Sequence, residues 1–91
     1  MAISRADRRA VRTERARAEF GRDADAVLDV LELTEFAWHD CYGEITPPDE
    51  VVDDIFVVAQ GNLAYFVNSA RLAVEDFRDL RMNANAVRGT Q

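Results

Sequence analysis

TPPDEVVDDIFVVAQGNLAYFVNSARLAVEDFRDL, residues 46–80, decides how this chain folds. It opens with helix-start chemistry: Thr46 in the N-cap position, Pro47-Pro48 in the first turn, and Asp49 where a capping box places an acid. Apolar residues then recur at alternating steps of four and three: Val52, Phe56, Ala59, Leu63, Phe66, Ala70, Ala73, Phe77 and Leu80. Such a seam runs along one side of a helix and faces a neighbour. Bulky and small members alternate, which suits interdigitation. Ile55, Val67 and Val74 flank the seam and widen it. Gly61 lies off it, so a continuous helix carries it at a cost of about 1 kcal/mol.

Read this way, residues 48–81 form one helix about 50 Å long. A compact chain of this length has a radius of gyration near 12 Å, so its diameter is roughly 30 Å. The figures conflict. Either the helix breaks near Gly61-Asn62, or the molecule is elongated and a second copy covers its apolar face. The expectation adopted is a homodimer.

Upstream, residues 23–42 read as a second helix. Val27, Leu28, Val30, Leu31, Leu33, Phe36, Ala37, Trp38 and Cys41 cover more than half its circumference. A stripe that wide packs against more than one neighbour. Asp23 and Asp25 suit its start, and Gly43 its stop. Trp38 reads as a core anchor and Cys41 as a small buried hydrophobe. Residues 4–22 read as a further helix with a thin apolar side, opened by Ser4 and Asp7 as a capping box. The fold expected is all-α: an antiparallel hairpin of the second and third helices, preceded by a basic N-terminal helix or arm, dimerising into a bundle. Its parts are the arm at 1–22, the hairpin at 23–82 and a flexible tail at 83–91, which has no core-forming pattern.

Charge divides along the same lines. Residues 1–22 carry seven Arg against Asp7, Glu14 and Glu19, whereas residues 23–79 carry fourteen carboxylates against Arg71 and Arg78. All eleven basic residues are Arg, and the net charge is −6. The absence of Lys beside abundant Ala and Val is a bias that a GC-rich genome produces. The basic segment has two functional readings. Arg5, Arg8, Arg12 and Arg15 line one face that can meet phosphates, or dock on an acidic surface of this or another protein. No aromatic residue precedes Phe20, so the arm offers no base stacking.

The only Trp, His and Cys fall together at Trp38, His39 and Cys41. Helical spacing separates them. Glu32, Glu35 and His39 share a face and are the candidates for a carboxylate–imidazole metal site. Their spacing departs from the Glu-x-x-His pair of di-iron bundles. His39 also suits the last helical turn, paired with Glu35 at the surface. Cys41 and His39 diverge, so a thiolate–imidazole pair is not offered. One Cys excludes an internal disulfide. There is no Gly-rich phosphate loop and no Gly-bracketed Ser elbow. No apolar run approaches the ~20 residues of a membrane span, and the first residues lack a secretory apolar core.

The expected function is therefore that of a small cytoplasmic, non-enzymatic interaction or regulatory protein. It acts as a helical homodimer that docks on another protein, with no cofactor. The alternative is a nucleic-acid-associated regulator using the Arg-rich arm. A metal-binding bundle ranks third.

Overall fold

A computed structural model describes residues 3–89. The described chain is all-helical: α1 is Arg5–Phe20, α2 is Ala24–Tyr42, α3 is Asp49–Ala59 and α4 is Leu63–Gly89, with a short 3-10 turn at Gly21–Asp23. No helix among the described residues is long and apolar enough to cross a membrane.

The capping box at the start of α1 is present. The Ser4 hydroxyl accepts from the Asp7 N–H, and the Asp7 carboxylate accepts from the Ser4 N–H. Gly43 ends α2 in the left-handed conformation, its N–H donating to the His39 carbonyl. The start of α3 differs from expectation. Pro48 occupies the N-cap position and Asp49 opens the helix. The Thr46 hydroxyl instead accepts from the Arg12 guanidinium at 3.2 Å.

The long third helix does not form. Gln60 and Gly61 both adopt positive φ, 50° and 76°, and end α3. The Asn62 side chain then accepts from the Tyr65 N–H at 3.0 Å and starts α4. Glycine is required at 61 for a second reason: a Cβ there would lie 2.9 Å from the Glu19 carbonyl oxygen, at the end of α1. A further break falls at Asp76, where φ −159° and ψ 88° interrupt α4. The Asp76 carboxylate accepts from the Arg78 and Asp79 N–H groups, capping the helix that follows. The break near Gly61 resolves the length conflict. The radius of gyration is 12.4 Å and the extents are 37 × 29 × 22 Å, so elongation no longer argues for a second copy.

Ring and ion contacts fix how the elements run. Arg5 reaches Glu35 and Arg9 reaches Asp29, so α1 and α2 are antiparallel. Val30 and Thr34 share a groove with Val67 and Ala70, while Trp38 meets Phe77; α2 and the first half of α4 therefore run in the same direction. Phe56 packs edge-on to Phe66 while Val51 lies beside Phe77, so α3 is antiparallel to that half. The hairpin is thus α3 against α4, rather than α2 against one long helix.

Phe20, Phe56 and Phe66 meet with centroids 5.1 to 6.0 Å apart and form the centre of the core. Ala16, Val27, Ile55, Ala59, Ala73 and Leu80 around them are inaccessible. Of the seam residues, Val52, Phe56, Ala59, Phe66, Ala70, Ala73 and Leu80 are buried, Leu63 is half-buried and Phe77 is partly exposed. The wide stripe assigned to α2 narrows: Leu33 and Phe36 are exposed, and so is Cys41, contrary to its reading as a buried hydrophobe. The tail assigned to 83–91 is also corrected. Residues 83–89 continue α4, Ala84 is fully buried, and Arg88 is held by Asp53 and Asp54 at 2.6 and 2.7 Å. Residues 90–91 lie outside the described residues, as do residues 1–2 of the segment read as an arm.

Candidate binding cleft and the arginine clusters

The basic segment does not stand away from the body. Arg8 and Arg12 both donate to Glu35, Arg12 at 3.2 Å, and Arg5 approaches it at 3.8 Å. Arg8 also donates to the Ile3 carbonyl at 2.6 Å. Glu35 is 2% exposed. Burial pushes its carboxyl pKa up. Hydrogen bonds from Arg8 and Thr46 and the charges of Arg8 and Arg12 outweigh that and hold it below the usual glutamate range. Arg8 is raised in turn, first by its hydrogen bond to Glu35. Arg15 donates to Glu19 and to Asp53, both at 2.6 Å, and its guanidinium lies 4.5 Å from the Phe56 ring centroid. All four arginines of the predicted basic face are thus directed at the protein's own carboxylates.

The metal candidates separate. Glu35 is taken by arginines, Glu32 pairs with Arg9 at 3.2 Å, and His39 is exposed, its ion-pair contact among the described residues being Asp40 at 4.0 Å. Among the described residues, no group of three or more His, Cys, Asp or Glu side chains is placed to hold a metal ion. Glu35 therefore does not form the surface pair with His39 that their spacing suggested.

A second cluster joins the end of α4 to α3 and α1. Asp54 is 1% exposed and accepts from Arg81 Nε at 2.6 Å and from Arg88 at 2.7 Å. Asp53 bridges Arg88 and Arg15. Burial raises the Asp53 pKa, but those two arginines more than reverse it, and the carboxyl is lowered.

Between this cluster and the C-terminal end of α2 lies an open cleft of about 630 Å³. Such volumes fall within the range of ligand pockets. Its apolar wall is aromatic. Trp38 is buried, with Tyr42 at 4.3 Å and Phe77 at 5.8 Å between ring centroids, and Tyr42 and Phe77 are partly exposed. These rings touch one another, so they form a platform rather than a cage around a cation. Trp38 Nε1 donates to Glu44 at 3.0 Å and the Tyr42 hydroxyl donates to the Val74 carbonyl at 2.8 Å. One rim carries Glu44 and Glu50, the other Arg78 and Arg81. Asp54 lies at the base, where it holds Arg81.

Of these groups, the sequence pattern marks Trp38 and Phe77. It missed Arg78, Arg81 and Asp54, because the break at Asp76 brings them together. The signal was present: Asp76 with Asp79 three residues on is an N-cap pattern within an otherwise helical run. No family model matches this chain, and comparison with curated proteins and with solved structures returns no match.

Proposed function

We propose that this protein is a small non-enzymatic interaction module. Its cleft receives an apolar side chain of a partner polypeptide on the Trp38–Tyr42–Phe77 platform. The observation that carries the reading is the exposure of Tyr42 and Phe77, 40% and 37%, at the wall of a cleft they share with Glu44, Glu50, Arg78 and Arg81. A partly exposed aromatic pair backed by a buried Trp is the composition of an interface anchor pocket. Catalysis draws no comparable support. His39 and Cys41 are exposed and diverge, and the buried carboxylates Glu35 and Asp54 are held by arginines.

A second face of the molecule supports a homodimer. Leu33 and Val67 are exposed at 65% and 44%. They flank a groove of about 330 Å³ between α2 and α4, lined also by Val30, Ala37, Ala70 and Val74. The charges beside the groove are largely met within the chain, Asp29 by Arg9 and Arg71 by Glu75, so the apolar pair is what a second copy would cover. A two-fold placing α2 over the partner's α4 would bury Leu33 and Val67. Nucleic-acid association draws less support, since Arg5, Arg8, Arg12 and Arg15 already face carboxylates of this chain.

The cleft reading is tested through Trp38, the only Trp in the chain. Short peptides bearing one large apolar residue should change its emission saturably, and the Phe77→Ala variant should weaken that response. Emission indifferent to every such peptide refutes the reading.

A further inference from the structure

The cleft's two rims are unequal. Glu44 accepts from Trp38, and Glu50 sits in the first turn of α3, where the helix dipole accommodates an acid. The basic rim is less occupied. Arg81 commits Nε to Asp54, and that buried carboxylate fixes its guanidinium at the cleft. Arg78 lines the same wall, and its side chain makes no ion pair among the described residues. Among the described residues, eight of the eleven arginines form ion pairs, and of the other three, Arg17, Arg22 and Arg78, Arg78 is the one that lines this cleft.

Resting on the interaction reading above, we propose that the cleft recognises a polypeptide segment in which a large apolar or aromatic residue lies within a helical turn of a carboxylate. The apolar group rests on Tyr42 and Phe77. The carboxylate meets the forks of Arg78 and Arg81, whose planar donors match its geometry. The net charge of −6 argues for one carboxylate rather than a polyanion, because an extended phosphate chain would be repelled along the rest of the body. The carboxylate has two sources, an Asp or Glu side chain or a free chain terminus. Asp54 is a positioning residue here, since it acts through Arg81.

The test uses the full chain and Trp38 emission. The probes are short acetylated and amidated peptides with one Phe and, a turn later, Glu, Gln or Lys. A further probe ends in Phe with a free carboxylate. A short single-stranded oligonucleotide serves as the polyanion. We expect the Glu peptide to bind about tenfold more tightly than the Gln peptide, the worth of one charge-assisted hydrogen bond. Arg78→Gln should erase that difference, and Arg78→Glu should turn the preference toward the Lys peptide. Arg78 is exposed and its side chain makes no ion pair among the described residues, so neither variant should change the melting temperature. Whichever of the Glu side chain and the free terminus binds more tightly identifies the source, and either supports the proposal. Equal affinity for Glu and Gln, unchanged in Arg78→Gln, overturns it and leaves the interaction reading standing. Silence toward every peptide removes both. Tighter binding of the oligonucleotide than of the Glu peptide overturns the carboxylate assignment in favour of phosphate.

Discussion

Tyr42 supplies to Val74 the hydrogen bond that α4 itself withholds. In an unbroken helix the Val74 carbonyl would accept from the Arg78 N–H. The Arg78 N–H instead donates to the Asp76 carboxylate at 3.1 Å, and the Tyr42 hydroxyl donates to Val74 at 2.8 Å. The same exchange aims Phe77 at Trp38 and turns Arg78 and Arg81 toward the cleft. The break in α4 and the shape of the cleft are thus one feature.

Tyr42→Phe keeps the ring and removes the donor. The expected loss is about 1 kcal/mol, read as a fall of roughly 4–8 °C in the melting temperature of a domain this size. Amide exchange should accelerate first around residues 74–79. An unchanged melting temperature and exchange pattern would mean that the hydroxyl does not support the break.

Glu35 is the centre of the clamp between α1 and α2. Glu35→Ala leaves the half-buried Arg8 and Arg12 without their carboxylate, which should cost about 2 kcal/mol in a denaturant titration. The pH dependence has a definite sign. Glu35 and Asp53 titrate lower in the folded chain than in the unfolded one. Their contribution is present above the ordinary carboxylate range and is lost as pH falls through their depressed folded values. In Glu35→Ala that acid loss should be smaller. Parallel stability–pH curves for the two proteins would show that the clamp is not what acid releases.

Gly61 should tolerate no side chain. Gly61→Ala meets a φ of 76° and the Glu19 carbonyl together, and should destabilise by about 2 kcal/mol. Gly43→Ala, at φ 75° with open space around it, should cost less. Equal losses in the two variants would show that the approach of Glu19 adds nothing.

Sedimentation velocity decides the oligomeric state. A dimer mass is expected, with Leu33→Glu shifting it to a single chain while helicity is kept. A single-chain mass for the unaltered protein at working concentration would remove the dimer from the proposal.

The all-helical class and most of the core were legible in the chain, and so were the caps at Ser4 and Gly43. The break at Gly61 was legible only as one of two alternatives and the break at Asp76 not at all, for a physical reason. Ala59, Leu63 and Phe66 keep the four-three rhythm across Gly61 because α3 and α4 turn their apolar sides to the same core around Phe20. Ala73 and Leu80 do the same across Asp76, while Phe77 between them turns to Trp38 and the cleft. Periodicity records which side is buried, not whether the backbone runs on. The caps Asn62 and Asp76 carried that second message. Charge was legible only in bulk. The arm was readable as basic and the body as acidic, but which carboxylate receives Arg5, Arg8 and Arg12 depends on the antiparallel register of α1 and α2.

A map of where a probe binds separates the cleft from every other face of the molecule. The measurement is an amide and indole chemical-shift titration of the full chain with the Phe–Glu peptide. We expect the largest shifts at the Trp38 indole and at residues 42, 51, 77, 78 and 81. Shifts centred on Leu33 and Val67, or no shifts at all, would contradict the assignment of the cleft.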